Sequence, residues 1–312
     1  KKIINPMQLV NECFNKVKKD YLKFLKKEKI YNKSMLTHTK KLVDTYIPIA
    51  FWINRKYKKK GKTLFIGLSA SQGSGKTTVA NILRIILKNF FRRKICVLSI
   101  DDFYKTLKDR KKMAEDEHNL FKTRGVPGTH DVHLIKDFFT SLKEKKFKKI
   151  KLPKFNKAID DRVKKSQWQT INKKPEIVLL EGWCVGAKAE SNNSLKKPIN
   201  ILERKEDKYL IWRKFVNKQL KKDYKKVFSM IDHYIFMRAP NFKIVFRWRL
   251  LQEKKLKKKI KYKQQIMSYK NIKRFIMFYQ RVTLRMIKDL SKTASVVITL
   301  KENHKIGKIL YR

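Results

Sequence analysis

Short apolar runs recur along the chain from residue 63 onward. The five clearest runs cover 63–69, 94–100, 176–182, 233–238 and 295–300. Continuous apolar runs of this length are typical of strands that are buried on both faces of a parallel sheet. The segments between them are long enough and suitably patterned for helices. The pattern therefore predicts an α/β fold, with a parallel β-sheet flanked by helices.

Residues 1–60 show a different pattern. Apolar residues such as Leu9, Phe14, Val17 and Leu22 recur among lysines at roughly helical spacing. A run of lysines and Gly61 then mark a boundary. We therefore expect an N-terminal helical extension over residues 1–60 and one domain over residues 61–312.

Composition and charge narrow the class of protein. The chain has 312 residues, of which 42% are hydrophobic, so collagen-like, low-complexity and fully disordered proteins are excluded. Lys and Arg number 80 against 26 Asp and Glu, and the net charge of +54 is strong enough to attract polyanions. The excess is mostly lysine, which shares AT-rich codons with the abundant Ile and Asn. We favour codon bias as the explanation and keep nucleic-acid binding as the alternative.

The cysteines and the apolar segments indicate the compartment. Cys13, Cys96 and Cys184 are too few and too scattered for a disulfide framework or a zinc site. The basic N-terminus lacks an apolar run of signal-peptide length, and no stretch approaches the ~18 apolar residues of a membrane span. We therefore expect a cytoplasmic protein without a membrane segment.

A phosphate-binding loop follows the first apolar run. The sequence ASQGSGKTT, residues 70–78, matches the GxxxxGK[ST] pattern except for Ala70 at the first glycine. Glycines let backbone N–H groups surround phosphate oxygens, the next helix presents its positive N-terminus, and Lys76 adds a charge. A simple Gly/Ser turn before a helix needs neither the lysine nor the two threonines. The residues expected to bind nucleotide are Gly73, Ser74, Gly75, Lys76, Thr77 and Thr78, with Thr77 also a Mg²⁺ ligand.

Acidic residues stand at the ends of the next two runs. Asp101 follows the second run, and at a strand end of a parallel sheet it would face the phosphate loop. There it could accept a hydroxyl proton and align that oxygen with the γ-phosphoryl group. Asp102 is the fallback, and helix capping is the alternative role for either aspartate. Glu181 lies near the end of the third run and is expected to hold Mg²⁺, with structural pairing as the alternative.

The loop TRGVPGTHDV, residues 123–132, is a predicted substrate contact. Its two glycines and its proline hold the backbone in a specific shape. The polar groups that this shape would present to the substrate are Arg124, His130 and Asp131.

Two further segments offer cations. LPKFNKAIDDR, residues 152–162, provides possible anion contacts, although an ordinary surface role for the lysines and a salt bridge for the arginine are the alternatives. These contacts are Lys154, Lys157 and Arg162. Arg247 and Arg249 begin a predicted helix, which could close over the phosphates as a lid or could be an ordinary basic, solvated helix.

In their order and spacing, these motifs resemble the plant-type D-glycerate 3-kinase family, which is related to uridine kinase, phosphoribulokinase and pantothenate kinase. The resemblance rests on ASQGSGKTT, SIDDFY, RGVPGTHD, LPKFNK with DDR, LLEGW and FRWRLLQE, and it extends from about Tyr46 to about residue 300. It implies a P-loop kinase fold with a helical lid, and ATP-dependent phosphorylation of D-glycerate in photorespiration or serine-linked salvage. By the same resemblance, the catalytic residues are Asp101 as base, Lys76 and Glu181.

Two alternatives stay open at this point. One is a related kinase for a nucleoside or another hydroxy acid, similar to uridine kinase or pantothenate kinase. The other is a nucleic-acid-binding NTPase that uses the +54 charge, although RNA-binding signatures such as RNP1 and KH are absent from the sequence. The expected partners are therefore ATP, Mg²⁺ and a small molecule such as D-glycerate, without a specific nucleic acid. The sequence leaves the oligomeric state open.

Overall fold

The computed structural model describes residues 5–30, 34–257 and 267–312, and they form an α/β fold. All five apolar runs predicted to be strands are strands, to within one residue at each end. The strands are β1 (Leu64–Ala70), β2 (Ile95–Ser99), β3 (Ile150–Leu152), β4 (Phe155–Asn156), β5 (Asp161–Arg162), β6 (Gln169–Ile171), β7 (Ile177–Gly182), β8 (His233–Arg238), β9 (Val296–Leu300) and β10 (Ile306–Tyr311).

Helices occur in every segment between the five predicted strands and account for most of the described N-terminal residues, as predicted. They are α1 (Pro6–Lys27), α2 (Met35–Lys41), α3 (Ile47–Lys60), α4 (Lys76–Asn89), α5 (Leu107–Asp116), α6 (Val132–Ser141), α7 (Asn192–Lys196), α8 (Ile201–Glu206), α9 (Ile211–Gln219), α10 (Lys225–Phe228), α11 (Phe242–Lys257) and α12 (Tyr269–Thr293). A π-helical turn, Leu42–Tyr46, joins α2 to α3. Within the described ranges, no helix combines the length and the apolar character needed to cross a membrane.

Six of the described strands form the main sheet, in the order β10, β9, β8, β1, β7, β2. β1 pairs in parallel with β8, with Ile66 opposite His233, and β8 pairs in parallel with β9. β10 runs antiparallel to β9, so the sheet is mostly rather than entirely parallel. Because β10 lies at the sheet edge and its residues are half-buried or exposed, it lacks the continuous apolar run that marks the inner strands.

The chain forms two compact units. The first contains the described residues of 1–65 together with 77–97 and 174–179. Its core includes one face of α1, where buried residues recur every four positions. Those residues are Cys13, Val17, Tyr21 and Leu25. Gly61 ends α3 with a φ of +68°, a conformation that favours glycine, and the domain boundary predicted there stays a prediction.

The second unit contains residues 66–76, 98–173 and the described part of 180–312. It includes the carboxyl-terminal ends of β1, β2 and β7, the edge at which open parallel sheets bind their ligands. Two small antiparallel pairs, β3 with β6 and β4 with β5, follow α6 in the chain. The long helix α12 buries an apolar stripe. The second unit therefore contains the phosphate loop through Lys76 and the candidate acids that follow β2 and end β7.

Candidate active site

The phosphate loop connects β1 to α4, as the sequence predicted. Gly73 and Gly75 have φ values of +74° and +86°, which side chains other than glycine rarely adopt. A Cβ on Gly73 would also lie 2.9 Å from Cβ of Trp248, so the loop cannot accept a larger residue there. Ser74 is buried and donates its hydroxyl to the Ser71 carbonyl at 2.7 Å. Lys76 begins α4, and Thr77 and Thr78 follow it in the first turn.

Two residues that the sequence did not reveal support this loop. His304, in the turn between β9 and β10, donates from Nε2 to the Gly73 carbonyl at 2.9 Å. Its ring stacks on that of Trp248, with centroids 4.4 Å apart, and Trp248 Nε1 donates to the Glu302 carbonyl at 2.7 Å. The loop is therefore held from the side of α11 and of the β9–β10 turn.

Asp101 lies immediately after β2, in a 3₁₀ turn over Ile100–Phe103. Its Oδ1 accepts from the Tyr104 hydroxyl at 3.1 Å, and its Oδ2 accepts from Lys157 Nζ at 2.6 Å. Burial opposes ionisation of Asp101, but the charges of Lys157 and Lys76 and the hydrogen bond from Lys157 outweigh it and lower the pKa to about 2. Asp101 is therefore ionised at neutral pH and lies within electrostatic reach of the phosphate-loop lysine.

Asp102 has a different environment. Its Oδ1 accepts from the backbone N–H of Phe155 in β4 at 3.3 Å. Burial raises its pKa, the Phe155 N–H opposes this, and the charges of Asp101 and Glu181 act in the same direction as burial. The capping role suggested for Asp102 is wrong, because the next helix, α5, is capped by Thr106. Asp102 instead binds the β4–β5 pair through the Phe155 N–H and so holds this pair beside the site.

Glu181 is buried near the end of β7. Gly182 follows it, and a Cβ there would overlap the side chain of Ile100, so only glycine lets β7 approach the start of the 3₁₀ turn this closely. Glu181 is also close enough for its charge to contribute to the raised pKa of Asp102. Three carboxylates thus gather at the predicted edge of the sheet.

The loop 123–132 is held by hydrogen bonds to the segment that carries Asp101. Tyr104 and His130 form an antiparallel bridge, and the Asp131 N–H donates to the Phe103 carbonyl at 2.7 Å. The Gly125 carbonyl also accepts from Nε1 of Trp183, the residue directly after β7, at 2.9 Å. The RGVPGTHD and EGW motifs therefore contact each other, although 58 positions separate Gly125 from Trp183.

His130 is buried and stacks on the ring of Tyr104, with centroids 4.4 Å apart. Its Nδ1 shares a 2.7 Å hydrogen bond with the Tyr224 hydroxyl, and its buried Nε2 has no hydrogen-bond partner among the described residues. Burial lowers the pKa of His130 to about 4, against the opposing charge of Asp101. His130 is therefore neutral at pH 7.

The predicted substrate arginines are engaged in ion pairs with loop residues. Arg124 pairs with Asp160, and its guanidinium lies 5.5 Å from the ring centroid of Phe155. Arg162 donates to the Tyr104 carbonyl at 2.6 Å and pairs with Asp131 at 3.2 Å. Two of the predicted substrate contacts, Arg162 and Asp131, are thus bound to each other in this structure. The salt bridge suggested for Arg162 exists, with Asp131 as the partner.

The arginines of the predicted lid lie on α11. Arg247 is exposed and pairs with Glu302 at 3.3 Å. Arg249 is mostly buried and pairs with Glu253 at 2.5 Å, with its guanidinium 5.3 Å from the Phe275 ring centroid. In this structure both arginines contact protein carboxylates, and closure over phosphates stays a prediction.

A phosphate loop after β1, a strand-end carboxylate after β2 and a buried acid at the end of β7 are the parts of a P-loop phosphotransferase site. Residues 65–197 match the model of the Phosphoribulokinase / Uridine kinase family. The chain is similar to the uncharacterized kinase mug58 of Schizosaccharomyces pombe, with 31% identity over 219 residues that cover 67% of this chain and 76% of that protein. The protein is thus a P-loop kinase.

Further comparisons place the chain within that class. It is similar to D-glycerate 3-kinase, chloroplastic, of Arabidopsis thaliana, with 30% identity over 230 residues; these cover 68% of this chain but 48% of that protein. The solved structure of D-glycerate 3-kinase from Cryptococcus neoformans var. grubii has the same fold, with a TM-score of 0.72, 22% identity, and coverage of 86% of this chain and 99% of that one. The chain belongs to the phosphoribulokinase/uridine kinase family, and its predicted relationship to D-glycerate 3-kinase is confirmed.

Proposed function

We propose that this kinase transfers the γ-phosphoryl group of ATP to the 3-hydroxyl of D-glycerate, giving 3-phosphoglycerate. The observation that carries the proposal is the ionised Asp101 carboxylate at the end of β2, within electrostatic reach of the phosphate-loop Lys76. This pair provides an acceptor-side carboxylate and a nucleotide-side cation in one site. The similarity to D-glycerate 3-kinase supports D-glycerate as the acceptor.

Nucleotide binding would use the phosphate loop. Its backbone N–H groups and the N-terminus of α4 favour phosphate oxygens, and Lys76 places a positive charge at the transferring end. Arg247 and Arg249 on α11 are proposed to contact the nucleotide after leaving their present carboxylate partners, Glu302 and Glu253. Such a change would couple lid closure to nucleotide binding.

The donor set fits Mg²⁺. Thr77 and Glu181 carry the hard oxygen atoms that Mg²⁺ prefers. Mg²⁺ commonly takes one or two protein ligands and completes its shell with water and nucleotide phosphates. When bound, the ion would neutralise charge on the phosphates.

Asp101 would act mainly by orientation. A carboxylate with a pKa of about 2 is a weak base for a free hydroxyl. In a loose phosphoryl-transfer transition state, however, the hydroxyl proton is lost late, after the oxygen has begun to bond to phosphorus. The hydroxyl oxygen attacks the γ-phosphorus, the bond from that phosphorus to the β–γ bridging oxygen breaks, and the proton passes to Asp101.

The loop 123–132 is proposed to bind the acceptor. Arg124 shares the Asp160 carboxylate with Arg110, so two guanidinium groups face one acid and a net positive charge is left for a substrate carboxylate. The neutral His130 retains a buried ring nitrogen for a further hydrogen bond. Arg162 and Asp131, paired with each other, are proposed to hold the binding loop in place.

A coupled assay tests the proposal by offering ATP and Mg²⁺ with D-glycerate, L-glycerate, uridine or pantothenate. We expect D-glycerate to be preferred and Lys76→Ala to lose most turnover while remaining folded. Preference for uridine or pantothenate would contradict the acceptor assignment and leave the kinase class intact. The cytoplasmic location and the photorespiratory or serine-linked setting stay predictions that this assay does not address.

A further inference from the structure

The turn between β4 and β5 carries Lys157, and this hairpin is bound to the turn that bears Asp101 and to α5. Asp102 accepts from the Phe155 N–H at 3.3 Å on one side of the turn. On the other side, Arg110 donates to the Asp160 carbonyl at 2.6 Å and pairs with the Asp160 carboxylate at 3.0 Å. The backbone of Lys157 is thus held at a defined place beside Asp101, although the side chain of Lys157 is long and flexible.

The exposure of the nearby cations distinguishes Lys157 from the arginines. Its side chain is 61% exposed, compared with 29% for Arg124 and 13% for Arg162. Arg110 is fully buried, and its guanidinium is bound to backbone carbonyls and to Asp160. An ammonium group has three N–H donors, and the contact with Asp101 at 2.6 Å uses one of them. Lys157 can therefore donate to a second anion without leaving Asp101.

The negative charges around Asp101 would repel an anionic acceptor unless a cation lies between them. Asp101 must receive the acceptor hydroxyl, and the nearby carboxylates Asp102 and Glu181 add negative charge. An acceptor with its own carboxylate is repelled by these acids and by the phosphates of the nucleotide. A cation that contacts both Asp101 and the acceptor would offset that repulsion where it is largest.

We propose that Lys157 selects acceptors that carry a negatively charged group, by donating to that group while it remains bound to Asp101. This inference rests on the proposed function, because it takes Asp101 as the residue that receives the acceptor hydroxyl. It assigns Lys157 as a specificity residue. An uncharged acceptor of the same shape gains less from the ammonium group, because an amide oxygen accepts a hydrogen bond but carries no net charge.

The test compares D-glycerate with its neutral amide, D-glyceramide, in the full chain. For Lys157→Met we expect kcat/KM for D-glycerate to fall about 10- to 100-fold relative to kcat/KM for D-glyceramide, the range for loss of a charge-assisted hydrogen bond. Lys157→Arg keeps the charge and should restore most of the preference. Lys164→Met removes an exposed lysine just beyond the hairpin and should leave the ratio at the wild-type value.

An equal loss for both acceptors in Lys157→Met would overturn the proposal, because Lys157 would then act only through Asp101. If Lys157→Met does not fold, Lys157→Arg remains informative, and loss of the preference for D-glycerate in that variant would count against the proposal. Wild-type activity on pantothenate instead of D-glycerate would refute the D-glycerate function. In that case the same variant would be tested on pantothenate and its neutral amide. A weaker preference for pantothenate in Lys157→Met than in the wild type would still support the role of Lys157. Activity on uridine alone would overturn both proposals.

Discussion

At the residue scale, the central feature is that the adjacent residues Asp101 and Asp102 have different surroundings. Asp101 accepts from Lys157 and Tyr104 and is strongly acidic, whereas Asp102 accepts from a backbone N–H and its pKa is raised. Two adjacent, chemically identical side chains thus have different roles: Asp101 is proposed to border the acceptor site, and Asp102 binds the β4–β5 hairpin. The sequence identified Asp101 correctly as the strand-end acid, but it contained no sign of the contact with Lys157.

Replacement of Asp101 by Asn tests its role. Asn keeps the size and one hydrogen-bonding oxygen but removes the negative charge, so we expect turnover to fall by a factor on the order of 10² or more while ATP still binds. Steady-state kinetics and a nucleotide-binding titration measure the two effects separately. Asp116→Asn, on the exposed side of α5, is the matched control and should behave as wild type. Retention of most turnover in Asp101→Asn would require another residue to orient the hydroxyl.

His130 predicts a dependence of stability on pH. Burial lowers its pKa to about 4 from an ordinary value of 6.5, so between these pH values the unfolded chain binds more protons than the folded chain. Stability is therefore lost as pH falls through this window, by up to about 3 kcal/mol for a complete shift. Urea unfolding at pH 7 and at pH 4.5 measures this loss, which should shrink in His130→Gln. The exposed His133→Gln is the control, and an unchanged pH dependence in His130→Gln would contradict the assignment.

At the element scale, the strands were predictable and the contacts between distant segments were not. Each inner strand of the sheet is buried along much of its length, so its sequence is a continuous apolar run. β10 and the short pairs β3–β6 and β4–β5 contain exposed and charged residues and give no such signal. Contacts such as that of His304 with Gly73 join residues 231 positions apart, and a single sequence holds no trace of them.

The support of the phosphate loop by the β9–β10 turn leads to a prediction. His304→Ala removes the hydrogen bond to the Gly73 carbonyl and the ring stacked on Trp248. A loop that samples other conformations binds nucleotide less well, and loss of about 1 kcal/mol corresponds to a rise in the KM for ATP of roughly fivefold. The KM for the acceptor should change little. His304→Gln keeps a side-chain donor and should recover part of the loss, and a KM for ATP unaltered in both variants would argue against this support.

At the scale of the whole molecule, the net charge of +54 is the feature that the kinase reaction does not require. Many of the lysines are exposed, including those near the ends of α1 and α3, and a diffuse positive surface binds polyanions non-specifically. Membership of the phosphoribulokinase/uridine kinase family favours a kinase over a nucleic-acid-dependent NTPase. We therefore expect most of this charge to be separate from the chemistry of the site.

Added polynucleotide distinguishes these two interpretations of the charge. We expect kinase activity and ATP hydrolysis to be unaffected by DNA or RNA at physiological salt, because scattered lysines form no organised binding site. Weak binding that disappears as salt rises is compatible with this expectation. Strong stimulation of ATP hydrolysis by a polynucleotide would instead favour the NTPase alternative.

The most direct test of the central claim is identification of the product by ³¹P NMR after incubation of the protein with ATP, Mg²⁺ and D-glycerate. The account predicts resonances of ADP and of 3-phosphoglycerate, and their loss in Lys76→Ala. Because Asp101 and the phosphate loop lie in one site, phosphate should pass to the acceptor rather than to water. ADP with inorganic phosphate and no phosphorylated glycerate, or a product phosphorylated at the 2-hydroxyl, would contradict the account.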